Sequence, residues 1–245
     1  MPNIAAGKDC QMKVDDESTY AAARNSSVAE NINTTVQKVG TAVKASANSA
    51  GNKYDCYRSF FAFDTSGVSI APASATLKLY GYQYGSADVI IIKVDADATG
   101  DSDTDFVVAD FSKTGTYDAS TAYSAQVSTW STTNYNEITL NATALSDMAS
   151  LSEFKLALIE HDYDYSKTAP ANSVAVKSGI HYSNATSSDV RPTISYVAGS
   201  ANTPNDIQKR VKTKGGGGKG FSRKFIKAPT SGGKTVSNGF KIDGF

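Results

Sequence analysis

The stretch Tyr57–Asp64, YRSFFAFD, decides the fold class. Read with a period of two, it sets Tyr57, Ser59, Phe61 and Phe63 on one side and Arg58, Phe60, Ala62 and Asp64 on the other. That is the pattern of a strand rather than a helix. Downstream, GVSIAPAS (67–74) is turn chemistry, with Pro72 unable to donate to a continuing ladder. ATLKLYGYQYG (75–85) then alternates Leu77, Leu79 and Gly81 against Lys78, Tyr80 and Tyr82. ADVIIIKVDAD (87–97) is a second apolar run rich in β-branched residues. YNEITLNA (135–142), EFKLALIEHD (153–162), SVAVKSG (173–179) and RPTISYVAG (191–199) follow, each bounded by Gly, Asn, Ser or Pro. Short strands at this spacing predict an all-β body, an antiparallel β-sandwich or jelly roll. TALSDMASL (143–151) reads as a short helix with Thr143 as its cap. Residues 28–43 carry Val28, Ile32, Val36, Val39 and Val43 at helical spacing, but Gly40 and the Thr/Val content favour strand.

The composition divides the chain into a body, residues 1–200, and an extended, mostly irregular C-terminal arm, residues 201–245. Residues 202–245 hold ten Lys/Arg against Asp206 and Asp243, a net of +8, in a chain whose formal charge is zero. The other residues therefore hold 14 basic and 22 acidic groups, a net of −8. Such a split signals a partner, since an acidic body attracts the basic ribbon of another copy. Nine of the 19 glycines lie in the arm, including Gly215–Gly218. Ordering so flexible a segment costs about 1–2 kcal/mol per residue. It becomes ordered only against something else. Its apolar anchors are Phe221, Phe225, Phe240 and Phe245, set among Lys209, Arg210, Lys212, Lys214, Lys219, Arg223, Lys224 and Lys227. Each phenylalanine can fill a neighbour's pocket for roughly 1.5–3 kcal/mol.

Other classes are set aside at this level. No run of about 18 apolar residues exists, so no membrane span is expected. The start, MPNIAAGKDCQMKV, lacks the charged-then-apolar pattern of a secretory signal. Cys10 and Cys56 lack metal-ligand spacing and are expected as buried thiols, with a single bridge between neighbouring strands as the alternative.

YRSFFAFDTSGVSIAPASATLKLYGY (57–82) resembles the DNRLRE-type domains, in which a strand ending in Phe-Asp precedes a loop and an Ala-x-Leu-x-Leu-Tyr strand. The far end is similar too: FKLALIEHDYD, then SGIHYSNATSSDVRPTISYVAG, ending in Arg-Pro-x-Ile-x-Tyr. The likeness covers about residues 10–198 and leaves the arm unmatched. It implies a β-sandwich of the kind attached to cell-surface, polysaccharide-related and virion proteins, some similar to carbohydrate-binding modules. The Trp-rich middle segment of such domains is reduced here to VSTWSTTNYNEITL, with Trp130, so no ligand site is carried over.

Candidate sites are few. VDADATGDSDTDF (94–106) offers hard oxygen donors suited to calcium, with Asp101, Asp103 and Asp105 as the candidate metal ligands. Phe106 and Ser112 stand where an EF-hand needs Gly and Glu, so that motif is ruled out, and no cofactor is expected beyond a loop calcium. EHDYDYSK puts Glu160, Asp162 and Asp164 on alternate strand positions, a geometry paired-carboxylate catalysis could use but a polar sheet edge also explains. His161 and His181 cannot make a His cluster for zinc, and no nucleophile elbow or phosphate loop is present, so no catalytic residues are assigned. Tyr80, Tyr82 and Tyr84, with Trp130, form the candidate glycan platform, although such rows usually pack a core or its rim.

These readings converge on a non-enzymatic virion structural protein, a phage capsid decoration or tail-associated subunit assembled in the host cytoplasm. Its arm would dock on sister subunits or other virion proteins. The alternative is a carbohydrate-binding module. Nucleic acid contacted through Lys/Arg and interleaved Phe is a third, opposed by the acidic body.

Overall fold

The structure, a computed structural model, describes residues 1–94, 106–114 and 121–200. In chain order its elements are β1 (Asn3–Glu17), α1 (Tyr20–Arg24), β2 (Asn31–Asn33), β3 (Lys38–Ala47), β4 (Tyr54–Asp64), β5 (Ser74–Gly85) and β6 (Val89–Lys93). There follow a 3-10 turn at Val108–Thr114, β7 (Tyr135–Thr139), α2 (Ala142–Ser150), β8 (Glu153–Glu160) and a π-helical turn at His161–Tyr165. β9 (Ala175–His181), a 3-10 turn at Ser188–Val190 and β10 (Thr193–Val197) complete the body.

The protein is mostly β, built on one large antiparallel sheet with the path β2-β1-β10-β5-β9-β3-β4-β8-β6. β7 joins β5 off this path, and an additional β1–β4 pairing closes β1, β10, β5, β9, β3 and β4 into a ring. Two long strands make this closure by changing partners along their length. β1 pairs with β10 through Asn3–Ala5, then with β4 from Ala6 onward, bending at a bulge between Ala6 and Lys8. β5 pairs with β10 and β7 through its first half and with β9 from Gly81, again across a bulge, between Gly81 and Tyr84. Bulges add local twist and let a strand turn the corner.

The period-two reading of 57–64 holds, and burial extends to both sides. Phe61 and Phe63 enter one core with Leu77, Leu79, Val89, Ile91, Leu156 and Leu158. Phe60 and Ala62 enter a second, with Met12, Val14, Ile90, Ile92, Ala157 and Ile159. The second core is closed by Tyr20 and Ala23 of α1 and by Phe106 and Phe111. Unbroken runs such as VIII and FFAF are what a strand covered on both faces requires. Each fully buried Phe, Leu or Ile contributes roughly 1.5–3 kcal/mol.

Two sequence expectations are corrected and a third is refined. The cap of α2 is Asn141, whose side chain accepts from the Ala144 N–H, and Thr143 lies inside the helix. The 28–43 region is strand, as its Gly40 and Thr/Val content favour, in two pieces, β2 and the start of β3. β8 stops at Glu160, so Asp162 and Asp164 lie on the π-helical turn and the three carboxylates do not share a strand face. Glu160 itself causes the change: its carboxylate accepts from the N–H groups of Asp162, Tyr163 and Asp164 and winds the chain into the turn.

Candidate functional site

Arg58 projects from the middle of β4 into the second core, 1% exposed. Its Nε and Nη2 donate to the two Asp164 carboxylate oxygens, each at 2.8 Å. Nη1 donates to the Phe111 carbonyl at 2.7 Å, Nη2 also donates to the Arg24 carbonyl at 2.7 Å, and the guanidinium lies 4.1 Å from the centre of the Phe111 ring. Arg24 donates its Nε to the Asp164 carbonyl at 2.6 Å. One guanidinium thus ties together β4, α1, the Val108–Thr114 turn and the turn after β8. Asp164 is fully buried and Glu160 is 1% exposed, so both are committed to the interior. Burial pushes the Glu160 carboxyl up to about 7 against the pull of its three backbone N–H donors. This cluster is structural in character: every polar group named points at another element of the fold.

The two cysteines are free and buried. The β1–β4 register explains why they do not bridge: Cys10 faces Phe60 and Cys56 faces Val14, four residues apart along the ladder. That is roughly 13 Å, about twice the reach of a disulfide.

The candidate aromatic platform separates into two sets. Trp130 is 9% exposed, belongs to the first core and donates Nε1–H to the Gly179 carbonyl at 3.2 Å. Tyr80 and Tyr82 lie on the opposite face of β5 from Leu77 and Leu79, and Tyr82 is 42% exposed. There they join two residues the sequence did not single out for this role, Tyr135 of β7 and His181 of β9. Ring centres run Tyr135–Tyr80 at 5.3 Å, Tyr80–His181 at 5.4 Å and His181–Tyr82 at 5.6 Å, each pair edge to face. Lys38 Nζ caps the row 4.4 Å from the Tyr82 ring centre. Partial burial and the Lys38 charge hold His181 below the usual histidine range, so it is neutral at pH 7. On the opposite face β5 runs tight against the 131 segment: a Cβ on Gly81 would stand 1.8 Å from the Ser131 carbonyl oxygen. Tyr84 lies further along β5, its backbone paired with Ser178 of β9.

A third feature lies at the bulge of β1. Asp9, 4% exposed, lines a cavity of about 450 Å³ together with Gly7, Lys8, Thr34, Phe106, Ser183 and Asn184. Its two oxygens accept from Ser183, the backbone N–H at 2.7 Å and the hydroxyl at 2.8 Å. Burial pushes its carboxyl up to about 6, with only Ser183 acting to lower it.

The candidate calcium ligands Asp101, Asp103 and Asp105, and the arm residues from Lys209 to Phe245, lie outside the described residues. Among the described residues no three His, Cys, Asp or Glu side chains converge as a metal site, and no helix is long and apolar enough to cross a membrane. Compared with known proteins, the chain matches no family model and no curated protein.

Proposed function

We propose that the protein is a non-enzymatic structural subunit of a virion, a capsid decoration or tail-associated component. Its body, on this reading, is a β-sandwich of jelly-roll type, and its basic C-terminal arm docks on neighbouring subunits. The observation that carries it is the charge split, +8 over residues 202–245 against −8 over the rest. A segment of that composition gains order only from a partner, and the same chain supplies an acidic one. The six-strand ring of pairings supports the sandwich reading. The use of the buried carboxylates Glu160 and Asp164 to hold the interior together supports a structural role for the body. Loop calcium at Asp101, Asp103 and Asp105 belongs to this proposal as an accessory.

The test uses the full chain. The eight cations from Lys209 to Lys227 are changed to glutamine, and self-association is followed by sedimentation at low and high salt. The wild type should associate and weaken with salt, and the neutralised chain should lose at least about tenfold in association, ~1.4 kcal/mol. Equal association of the two chains would overturn the reading.

A second reading, a carbohydrate-binding module, is favoured by one observation: the solvent-facing row Tyr135–Tyr80–His181–Tyr82. Sugar rings stack on exposed aromatic faces, and Tyr82 carries the largest exposure of the row. On this reading Tyr82→Ala abolishes retardation in polysaccharide affinity gels while leaving the circular dichroism unchanged. Unchanged retardation would remove the case for it.

A further inference from the structure

We infer that the Asp9 cavity is a socket for a basic side chain, lysine or arginine, delivered by the Lys209–Lys227 segment of a second copy of this chain. The inference rests on the assembly reading above and adds to it the place where the arm is held.

The first argument is the state of Asp9. Buried carboxylates are normally matched by a cation or saturated with hydrogen bonds. Asp164 meets two guanidinium groups, the half-buried Asp55 meets Lys44, Glu160 accepts three backbone N–H groups, and Asp110, 2% exposed, accepts the Val107 N–H and lines no cavity with Asp9. Asp9 accepts only from Ser183, and among the described residues no lysine, arginine or histidine forms an ion pair with it. A carboxylate has about four acceptor positions, so two remain for an incoming N–H donor. The pairing is missing where the fold leaves room for it: Asp9 lines the cavity.

The second argument is the shape and lining of that cavity. Its volume, about 450 Å³, takes a lysine or arginine side chain with its backbone at the mouth. Phe106 forms one wall, an aromatic surface against which an aliphatic stem or a guanidinium plane packs. Asn184 donates its amide to the Thr34 carbonyl at 2.8 Å, which leaves the Asn184 side-chain oxygen as a further acceptor at the rim. The bulge between Ala6 and Lys8 opens the sheet here, and Gly7 presents no side chain to an approaching backbone. The socket is therefore built by β1, which brings Lys8 as well as Asp9 to its lining, the loop after β2, the segment after β9 and Phe106, two residues ahead of the Val108–Thr114 turn.

The third argument selects the occupant. A small cation would gain the charge pairing alone. The Lys209–Lys227 segment carries eight Lys/Arg, with Gly215–Gly218 to let the backbone approach closely and Phe221 and Phe225 to add apolar anchorage. It also belongs to a unit of charge opposite to that of the body. Repetition of the contact over many copies makes a modest single contact decisive in an assembly.

The experiment compares four full-length samples by sedimentation velocity: wild type, Asp9→Asn, the eight-glutamine arm chain, and wild type with millimolar N-acetyl-arginine amide against equal NaCl. Asp9→Asn keeps an acceptor for Ser183 and removes the charge, so the fold should persist by circular dichroism. Association should weaken at least tenfold in Asp9→Asn, to the level of the arm chain. The arginine amide should dissociate the wild type where NaCl does not, a readout that does not depend on how the variant folds. Association lost in the arm chain but kept in Asp9→Asn, with no competition by the amide, overturns the socket and leaves the assembly reading standing. Association lost in Asp9→Asn but kept in the arm chain overturns the arm as occupant. A wild type that stays monomeric overturns both.

Discussion

Asp164→Ala is expected to cost about 3–5 kcal/mol, a large share of the stability of a domain this size. The loss is not of one contact. Removing the carboxylate strands Arg58, 1% exposed, with its Nε and one Nη2 bond gone, and takes the nearby charge from Arg24. Cys56, whose thiol points at Asp164 from 3.5 Å, also loses its acceptor. Asp164→Asn should cost nearly as much, because shape is kept while the charge that balances two guanidinium groups is lost. Both follow from urea denaturation read by circular dichroism. The double change Arg58→Met with Asp164→Leu should recover much of the loss, since an apolar pair of similar volume avoids the burial of charge altogether. A single Asp164→Ala variant within about 1 kcal/mol of wild type would show that the network is ornamental.

Stability should rise on mild acidification, the reverse of the usual carboxylate behaviour. Glu160 is raised from 4.5 to about 7 and Asp9 from 3.8 to about 6, burial being the main cause in each. The folded protein therefore binds these two protons more tightly than the unfolded chain does. Their stabilisation is fully present below about pH 4 and is lost as pH rises through about 6 and then about 7. Glu160 alone is worth on the order of 3 kcal/mol across that range, at about 1.4 kcal/mol per unit. Asp55 works in the opposite sense: although partly buried, it is held below the ordinary carboxylate range by hydrogen bonds from Lys44 and Ser46. Its contribution is lost on acidification past roughly pH 4. The urea midpoint of dilute, dispersed protein should accordingly be highest near pH 4 and fall through pH 5 toward pH 8. A midpoint that climbs steadily from pH 5 to 8 would contradict the burial of Glu160 and Asp9 as ionisable groups.

Much of the body was legible because side-chain alternation is a local property. YRSFFAFD, ATLKLYGYQYG and EFKLALIE each become the strand their period announces, and Pro72 lies before β5 as its missing N–H requires. β1 was not legible in the same way. Its even positions Cys10, Met12 and Val14 are apolar, yet Asp9 and Gln11 between them are buried as well, which breaks the inside–outside contrast a pattern depends on. The π-helical turn was missed for a related reason: EHDYDY alternates like a strand, and only the Glu160 side chain reaching three following N–H groups turns it. A trace of the buried network was present in Arg58, one charge inside an apolar run. A charge so placed needs a partner, but the partner lies 106 residues away and no local rule points to it.

By itself the sequence determined the strands from β4 onward, the turns that bound them and the division of charge between body and arm. All three depend on neighbours along the chain, which a one-dimensional pattern records. Only the tertiary structure decided that both faces of β4 are covered, that Tyr135 and His181 join Tyr80 and Tyr82 while Trp130 goes inward, and that Asp164 receives Arg58 whereas Asp9 receives only a serine. Those outcomes turn on which distant strands pair and where bulges bend them, and on whether a buried charge meets its opposite across the fold.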